Sequence, residues 1–307
     1  MIDKFIRMYY CSGMNYEALP KEVLQEVLLL EQQHKRLETR DIAQTNFLAY
    51  AKHVYEGFIE GSHHRVISKK LEDIASGNLK RLIINMPPRH SKSELASYLM
   101  PSWFLGRNPK LKIIQATMNT ELAVRFGRKV RDLIADPIYA EIFPKTDLKP
   151  DSQAAGRWET SAGGEYFAAG VGAAMTGRGA DLLIIDDPHS EQDALSSTAY
   201  DNTYEWYTSG PRQRLQPGGT IIIVQTRWSK KDLTGRLVQN MAMDSMSDQW
   251  EVIEFPAILP NDKPLWPEFW NVDELLKVKA SLSPVKWSAQ WQQNPTSEAI
   301  AMIKREW

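Results

Sequence analysis

The sequence predicts an α/β fold in which a mainly parallel central sheet is flanked by helices, with a helical preface ahead of it. Three observations carry that expectation. Short apolar runs without polar alternation, at 82–84 (LII), 182–185 (LLII) and 220–224 (TIIIV), suit strands covered on both faces. Between such runs lie segments with helical spacing of apolar residues, such as Leu122, Val124, Phe126, Val130 and Ile134. Polar and charged residues gather where the apolar runs end, and open parallel sheets bind ligands at the carboxyl ends of their strands.

The elements follow in order. Residues 1–78 read as a helical region packed on the core, with helical spacing clearest over 22–30 and 46–59. The core spans 79–258. Its first strand, 82–84, is stopped by Pro87-Pro88, and a helix runs from Ser93 through Leu95, Ala96 and Leu99 to Phe104. A second strand at 112–117 precedes the helix 122–134, which Asp136-Pro137 should end. Residues 163–170 look like a hairpin leading to a third strand at 180–185. A fourth strand at 220–224 follows the turn Pro217-Gly-Gly219, and a fifth at 250–255 ends at Pro256. Residues 259–307 form a linker or lid segment rich in Pro and Trp, with one or two short helices. There is no internal repeat and no low-complexity stretch.

A length of 307 residues allows one large or two modest domains, and 43% hydrophobic residues with a mean hydropathy of −0.41 indicate a soluble globular chain. The formal charge of −1 and pI of about 6.6 argue against a uniformly basic nucleic-acid binder, leaving local basic patches open. The single Cys11 excludes an intrachain disulfide and a thiolate metal site, which suits a reducing cytoplasm. No apolar run is long enough to span a membrane, and the N-terminus lacks a basic-then-apolar signal pattern. A cytoplasmic, unanchored protein is expected.

The stretch RLIINMPPRHSKSE at 81–94 has the form of a phosphate-binding loop without its glycines. In such loops backbone N–H groups cradle phosphates, a Lys reaches the outer phosphate oxygens and the next hydroxyl ligates Mg²⁺. Lys92 and Ser93 fit, while Met86 and Ser91 fill the glycine positions. Pro88, Arg89, His90, Ser91, Lys92 and Ser93 would line the phosphates at a helix N-terminus, where the dipole favours an anion. Alone, the stretch also fits a surface turn. The run LLIIDD adds Asp186, placed to hold Mg²⁺ with Ser93, and Asp187, placed to polarise an attacking water. By itself that is equally a strand ending in a turn; with Lys92 and Ser93 on the same sheet edge it makes a nucleotide site. Arg178, between two glycines just upstream, suits a planar donor to phosphate in cis or to a neighbouring subunit, or else a solvated turn. Gln225 and Thr226 end the fourth strand and can sense the γ-phosphate or its water, or simply cap the strand.

These residues, in this order, resemble the large terminase subunit of tailed bacteriophages, the ATPase that packages DNA into proheads. The likeness runs over nearly the whole chain from about His63 and is carried by HHRVISKKLEDI, RLIINMPPRHSKSE, WFLGRNPKLKIIQAT, AVRFGRKVRDLI, TGRGADLLIIDDP, EWY before PRQRLQPGG, IIIVQTRWSKKDLTGRL, and LWPEFW ahead of WSAQWQQNP. MPPRH, IDDP and QTRW together are specific to the group. The resemblance implies an ASCE-type P-loop NTPase fold with ATP and Mg²⁺. Lys92 and Ser93 would form Walker A, Asp186 the metal ligand, Asp187 the catalytic carboxylate and Thr226 part of a coupling motif. Arg89 matches the loop arginine of terminases in kind, though it stands three residues before Lys92 where many relatives have four. Ser91 replaces the usual Gly and Asp187 the usual Glu, so slower nucleotide chemistry is expected.

The implied partners are double-stranded DNA, the portal protein of the prohead and the small terminase subunit. The chain would be a ring on the portal and a monomer in isolation, in the cytoplasm of the infected bacterial host, with no membrane. Whole terminases add a nuclease domain for which this chain has no room, so no nuclease activity is expected. Two other functions fit the motifs: a nucleotide-gated assembly scaffold with little turnover, and a helicase-like DNA ATPase.

Overall fold

The apolar runs become neighbouring strands of one sheet. The computed structural model describes residues 20–193 and 196–296. Cys11, the N-terminal segment read for a signal and the closing Lys304-Arg-Glu-Trp307 lie outside the described residues. Strands β1 (Arg81–Asn85), β2 (Lys112–Thr117), β3 (Leu148–Ala154), β4 (Arg157–Thr160), β5 (Glu165–Gly170), β6 (Ala180–Asp186), β7 (Leu215–Gln225) and β8 (Glu251–Glu254) form an eight-stranded sheet in the order β3-β4-β5-β2-β6-β7-β1-β8. The pairings from β5 across to β8 are parallel, and β3 and β4 add an antiparallel edge. Successive residues of the central strands enter opposite layers: Leu82, Ile84 and Ile184 one, Ile83, Ile185 and Ile223 the other. That two-sided burial is why these runs lack polar alternation.

Two units divide the chain, residues 1–42 and 43–307. In the first, helix α1 starts at Lys21 and runs on to Thr45. In the second, Asn46 caps helix α2 (Phe47–Val54) by accepting from the Ala49 N–H. Helix α3 (Ser62–Ala75) precedes β1. After β1 comes a π-helical turn, Glu94–Leu99, continuing as α4 (Met100–Arg107). Asn119 caps α5 (Thr120–Ile134) and Asp136 caps α6 (Pro137–Ile142), so the Asp-Pro pair opens a new helix just where the old one ends. Helices α7 (Ser197–Ser209) and α8 (Leu233–Met243) flank β7, and α9 (Val272–Ser281) follows β8. Among the described residues no helix is long and apolar enough to cross a membrane.

The structure departs from the sequence reading at four places. The helix expected to reach residue 59 stops at Val54, where Tyr55 turns extended and Gly57 takes a φ of +74°. The hairpin at 163–170 joins β5 to the preceding strand β4, through Gly163 at φ +93°. Strands β3 and β4 were not expected, because LKPDSQA carries neither alternation nor an apolar run and RWET is too short for its alternation to stand out. Strand β7 begins at Leu215, with Pro217-Gly-Gly219 taken up as an irregularity of register inside it.

Trp103 on α4 is fully buried, donates its indole N–H to the Ala43 carbonyl at 2.9 Å and meets Phe47 edge-on at 5.4 Å. Replacing Trp103 by Ala should therefore lower unfolding free energy by about 3–5 kcal/mol in urea titrations. A loss under about 1 kcal/mol would mean that this contact does not tie residues 43–54 to the core.

Candidate active site

The site forms where β1, β7 and β6, adjacent in the sheet, reach their carboxyl ends. After Asn85 the Met86 N–H donates to the Gln225 carbonyl at 3.1 Å, which holds the start of the loop on the end of β7. Two residues of the loop then adopt the left-handed region: Arg89 at φ +60° and Ser91 at φ +70°. For non-glycine residues this costs roughly 1–2 kcal/mol each. The glycine conformation is present although the glycine is not. The Ser91 carbonyl accepts from Leu95 N–H at 3.0 Å, so a helical turn opens at once and Lys92 and Ser93 sit at its start.

The side chains converge as follows. Lys92 Nζ lies 2.8 Å from an Asp187 carboxylate oxygen, with Lys92 only 7% exposed. Ser93 Oγ donates to Asp186 Oδ1 at 3.0 Å, and Ser97 Oγ to Oδ2 of the same carboxylate at 2.7 Å. Asp186 is buried; burial, then the charge of Asp187, push its pKa up to about 7, against the opposing pull of Lys92, Ser97 and Ser93. Asp187 sits at φ +42° and accepts from the Thr226 N–H at 2.7 Å. The Thr226 hydroxyl reaches back to the Met86 carbonyl at 3.4 Å. The Gln225 side-chain amide is buried, and neither its oxygen nor its nitrogen has a hydrogen-bond partner.

A hard divalent cation suits this donor set, because Ser93 and Asp186 offer oxygen alone. Among the described residues no group of three or more His, Cys, Asp or Glu is placed to hold a metal.

Two expected site residues lie elsewhere. Arg178 precedes β6, whereas Asp186 ends it, so the arginine belongs to the opposite edge of the sheet, about 20 Å away at the rise of a strand. There it pairs with Glu165, the first residue of β5, and its guanidinium lies 4.0 Å from the centre of the Phe167 ring. The expectation that Arg178 projects beside the phosphate site of its own chain is corrected; the strand direction forbids it. The ring of His90 does not line the phosphate site either. It is buried among Trp270, Trp266, Trp291 and His63, with Nδ1 2.8 Å from the Pro88 carbonyl. Arg89 is exposed, and its backbone carbonyl accepts from the indole N–H of Trp270 at 3.4 Å.

The sequence reading missed several residues. Ser97 could have been found from its i+4 spacing to Ser93 on one helix face. A network around the buried Arg227–Asp232 pair, reaching the exposed Glu254, was hidden by sequence distance. Arg227 Nε contacts Asp232 at 3.0 Å and its NH1 contacts Glu254 at 3.0 Å. Glu254 also accepts from Asn85 Nδ2 at 2.9 Å, and Asn85 accepts from the Thr234 hydroxyl at 3.1 Å. Beside the Asp186 strand, Tyr166 donates to the Gln115 side-chain oxygen at 2.6 Å.

No protein-family model and no curated protein sequence matches the chain. In structure it is similar to the large terminase of bacteriophage HK97, at 13% identity and a TM-score of 0.49 over 76% of this chain and 50% of that one. It is similar also to an arginine-to-alanine variant of the large terminase ATPase domain of Thermus phage P74-26, at 13% identity and a TM-score of 0.49 over 78% of this chain and 96% of that one. A third likeness is to the large terminase of a thermophilic bacteriophage in complex with ATP-γ-S, at 8% identity and a TM-score of 0.44 over 73% and 52%. The chain thus spans about half the length of the HK97 protein.

The histidines beside the loop give a pH signature. Burial holds His63 down to about 3, and His64 and His90 down to about 4. The unfolded chain takes up these protons near pH 6.5 and the folded chain only near 3–4, so stability should fall as pH drops from 6.5 toward 4. Each histidine contributes up to about 1.4 kcal/mol per pH unit. Asp186, its pKa raised, works the opposite way, one group against three. Urea titrations at pH 7.5, 6 and 5 should show a net loss, and equal midpoints at all three would refute the buried neutral cluster.

Proposed function

We propose that this chain is the ATPase of a bacteriophage DNA-packaging motor of the large-terminase type, hydrolysing ATP to drive double-stranded viral DNA into a procapsid. One observation carries the chemistry: the Lys92–Asp187 pair at 2.8 Å and the Ser93–Asp186 hydrogen bond at 3.0 Å bring a cation, a hydroxyl and two carboxylates to one sheet edge at a helix start. The packaging role rests on the likeness of MPPRH, IDDP and QTRW to terminases.

In this reading Lys92 exchanges Asp187 for the β- and γ-phosphate oxygens of ATP. Ser93 and Asp186 would hold Mg²⁺, which neutralises charge on those oxygens. Asp187, freed from Lys92 and oriented by the Thr226 N–H, accepts the proton of the attacking water. The oxygen of that water bonds to the γ-phosphorus as the bond to the β-phosphate oxygen breaks, releasing ADP and phosphate. Thr226, bonded at its N–H to Asp187 and at its hydroxyl to Met86, carries the change at the γ-phosphate into β7 and the loop together. The chain would work in a ring built on the portal, with the small terminase subunit and DNA as further partners and the infected cell's cytoplasm as the place; Arg178 could meet a nucleotide there only in a neighbouring subunit and only by leaving Glu165.

Lys92→Ala and Asp186→Ala should each abolish ATP turnover while the far-ultraviolet circular dichroism stays that of the folded wild type. Undiminished turnover in either would end the nucleotide reading. Asp187→Asn should still bind ATP and lose roughly two to four decades in rate, the range of a positioned general base. Loss of binding instead would make Asp187 a phosphate or metal ligand. These assays belong with portal and DNA present, where a motor would turn over; tight binding with no turnover there would favour a nucleotide-gated scaffold.

A further inference from the structure

We infer that Trp270, backed by Trp291, is the positioning residue of the phosphate loop, holding in shape a backbone that phosphate loops ordinarily shape with glycine. The inference rests on the nucleotide reading of the loop. It starts from an imbalance in the loop itself. Arg89 and Ser91 are both left-handed at φ +60° and +70°, and neither is glycine. Backbone in that region persists only where its surroundings over-determine it. His90, between them, is the residue the surroundings hold. The Trp270 ring stacks on the His90 ring at 6.0 Å and 16°, and the Trp270 N–H donates to the Arg89 carbonyl. Trp291 meets His90 edge-on at 6.2 Å and Trp270 at 5.9 Å.

The clamp is itself anchored. The Trp270 backbone N–H, distinct from its indole N–H, donates to the Trp266 carbonyl at 2.8 Å, and the next residue, Asn271, caps α9 by accepting from Glu274 N–H at 2.8 Å. The Trp291 carbonyl accepts from Ala257 N–H at 2.7 Å, just beyond the end of β8. Residues 256–296 therefore bring a fixed indole against the loop from outside the sheet. Without it, the peptide on either side of His90 would relax toward negative φ, and the N–H groups before Lys92 would turn from the phosphates. Trp270 acts through Arg89 and His90 and touches no group assigned to catalysis by its side chain.

The test is a double-mutant cycle in the full chain. Trp270→Ala and Trp270→Phe are each made alone and with the glycine pair Arg89→Gly and Ser91→Gly, and binding of a fluorescent ATP analogue with Mg²⁺ is measured beside urea midpoints. Trp270→Ala should weaken binding about tenfold, and Trp270→Phe, which keeps the stack and loses the N–H, about threefold. Arg89→Gly with Ser91→Gly should bring the Trp270→Ala affinity to within about twofold of that glycine pair alone, because glycine adopts the left-handed region without a clamp at both positions. A merely structural loss at Trp270 would not be cured by glycine. Unchanged binding in Trp270→Ala, or an equal loss in both backgrounds, overturns the inference. Should Trp270→Ala fail to fold, the Trp270→Phe pair decides on the same terms. If wild type and Lys92→Ala bind alike, the nucleotide reading fails and this inference with it. If Lys92→Ala loses binding and Trp270→Ala does not, only the clamp falls.

Discussion

The site depends on a carboxylate that is almost out of reach of water. Asp186 ends β6 at 2% exposure, and a buried carboxylate without partners costs several kcal/mol. Its partners are Ser93 and Ser97, one helical turn apart. Satisfying Asp186 therefore fixes the start of the helix that carries Lys92 and Ser93. Because β7 lies between β6 and β1 in the sheet, the loop leaving β1 must cross the end of β7 to bring those serines to Asp186. That crossing is what places Gln225 and Thr226 beneath the loop, and it accounts for the bonds from Met86 to Gln225 and from Thr226 to Met86.

Parallel register then decides which residues can take part. Asn85 stands opposite Gln225, and Asp186 opposite Val224, so the three strands end nearly flush and the residues just beyond them share one edge. For that reason the apolar runs were informative: each ended in the residues that meet in the structure, and Lys92, Ser93, Asp186, Asp187 and Thr226 could be read from their places after a strand. The same rule, applied in the other direction, moves Arg178 to the far edge. It stands before its strand, and nearness to Asp187 in sequence becomes the length of β6 in space.

What the sequence hid was conformational or non-local. A left-handed loop residue announces itself as glycine; Ser91 carries that conformation with only its place in the loop as a sign, and Arg89 with none. The indole that contacts Arg89 is 181 residues away in the chain. The ion pair of Arg227 with Glu254 and the tie from Glu254 to Asn85 join the ends of β7, β8 and β1, and only the fold reveals that they are neighbours. Strands β3 and β4 escaped for different reasons: β3 is a largely exposed edge that imposes little burial and so leaves little pattern, while β4, which buries Trp158 and Thr160, is only four residues long.

The Arg227 network bears on how hydrolysis could be felt beyond the phosphate site. Arg227 is 8% exposed, with Asp232 fully buried against it, and its N–H donates to the Gln293 side chain at 3.1 Å. A buried pair satisfied on so many sides resists local rearrangement, since moving either partner strands the other. Thr226 therefore has a movable neighbour on one side, Asp187, and a fixed one on the other. In the proposed cycle, displacement of Asp187 by the loss of the γ-phosphate would not be absorbed at Arg227. It would pass through that residue to Asp232, the cap of α8, to Glu254 at the end of β8, and to Gln293 in the segment that also carries Trp291. Arg227, beyond the end of β7, and His90, in the loop after β1, thus both contact the same short segment, through Gln293 and Trp291, and in the proposed cycle a change at one would reach the other through it.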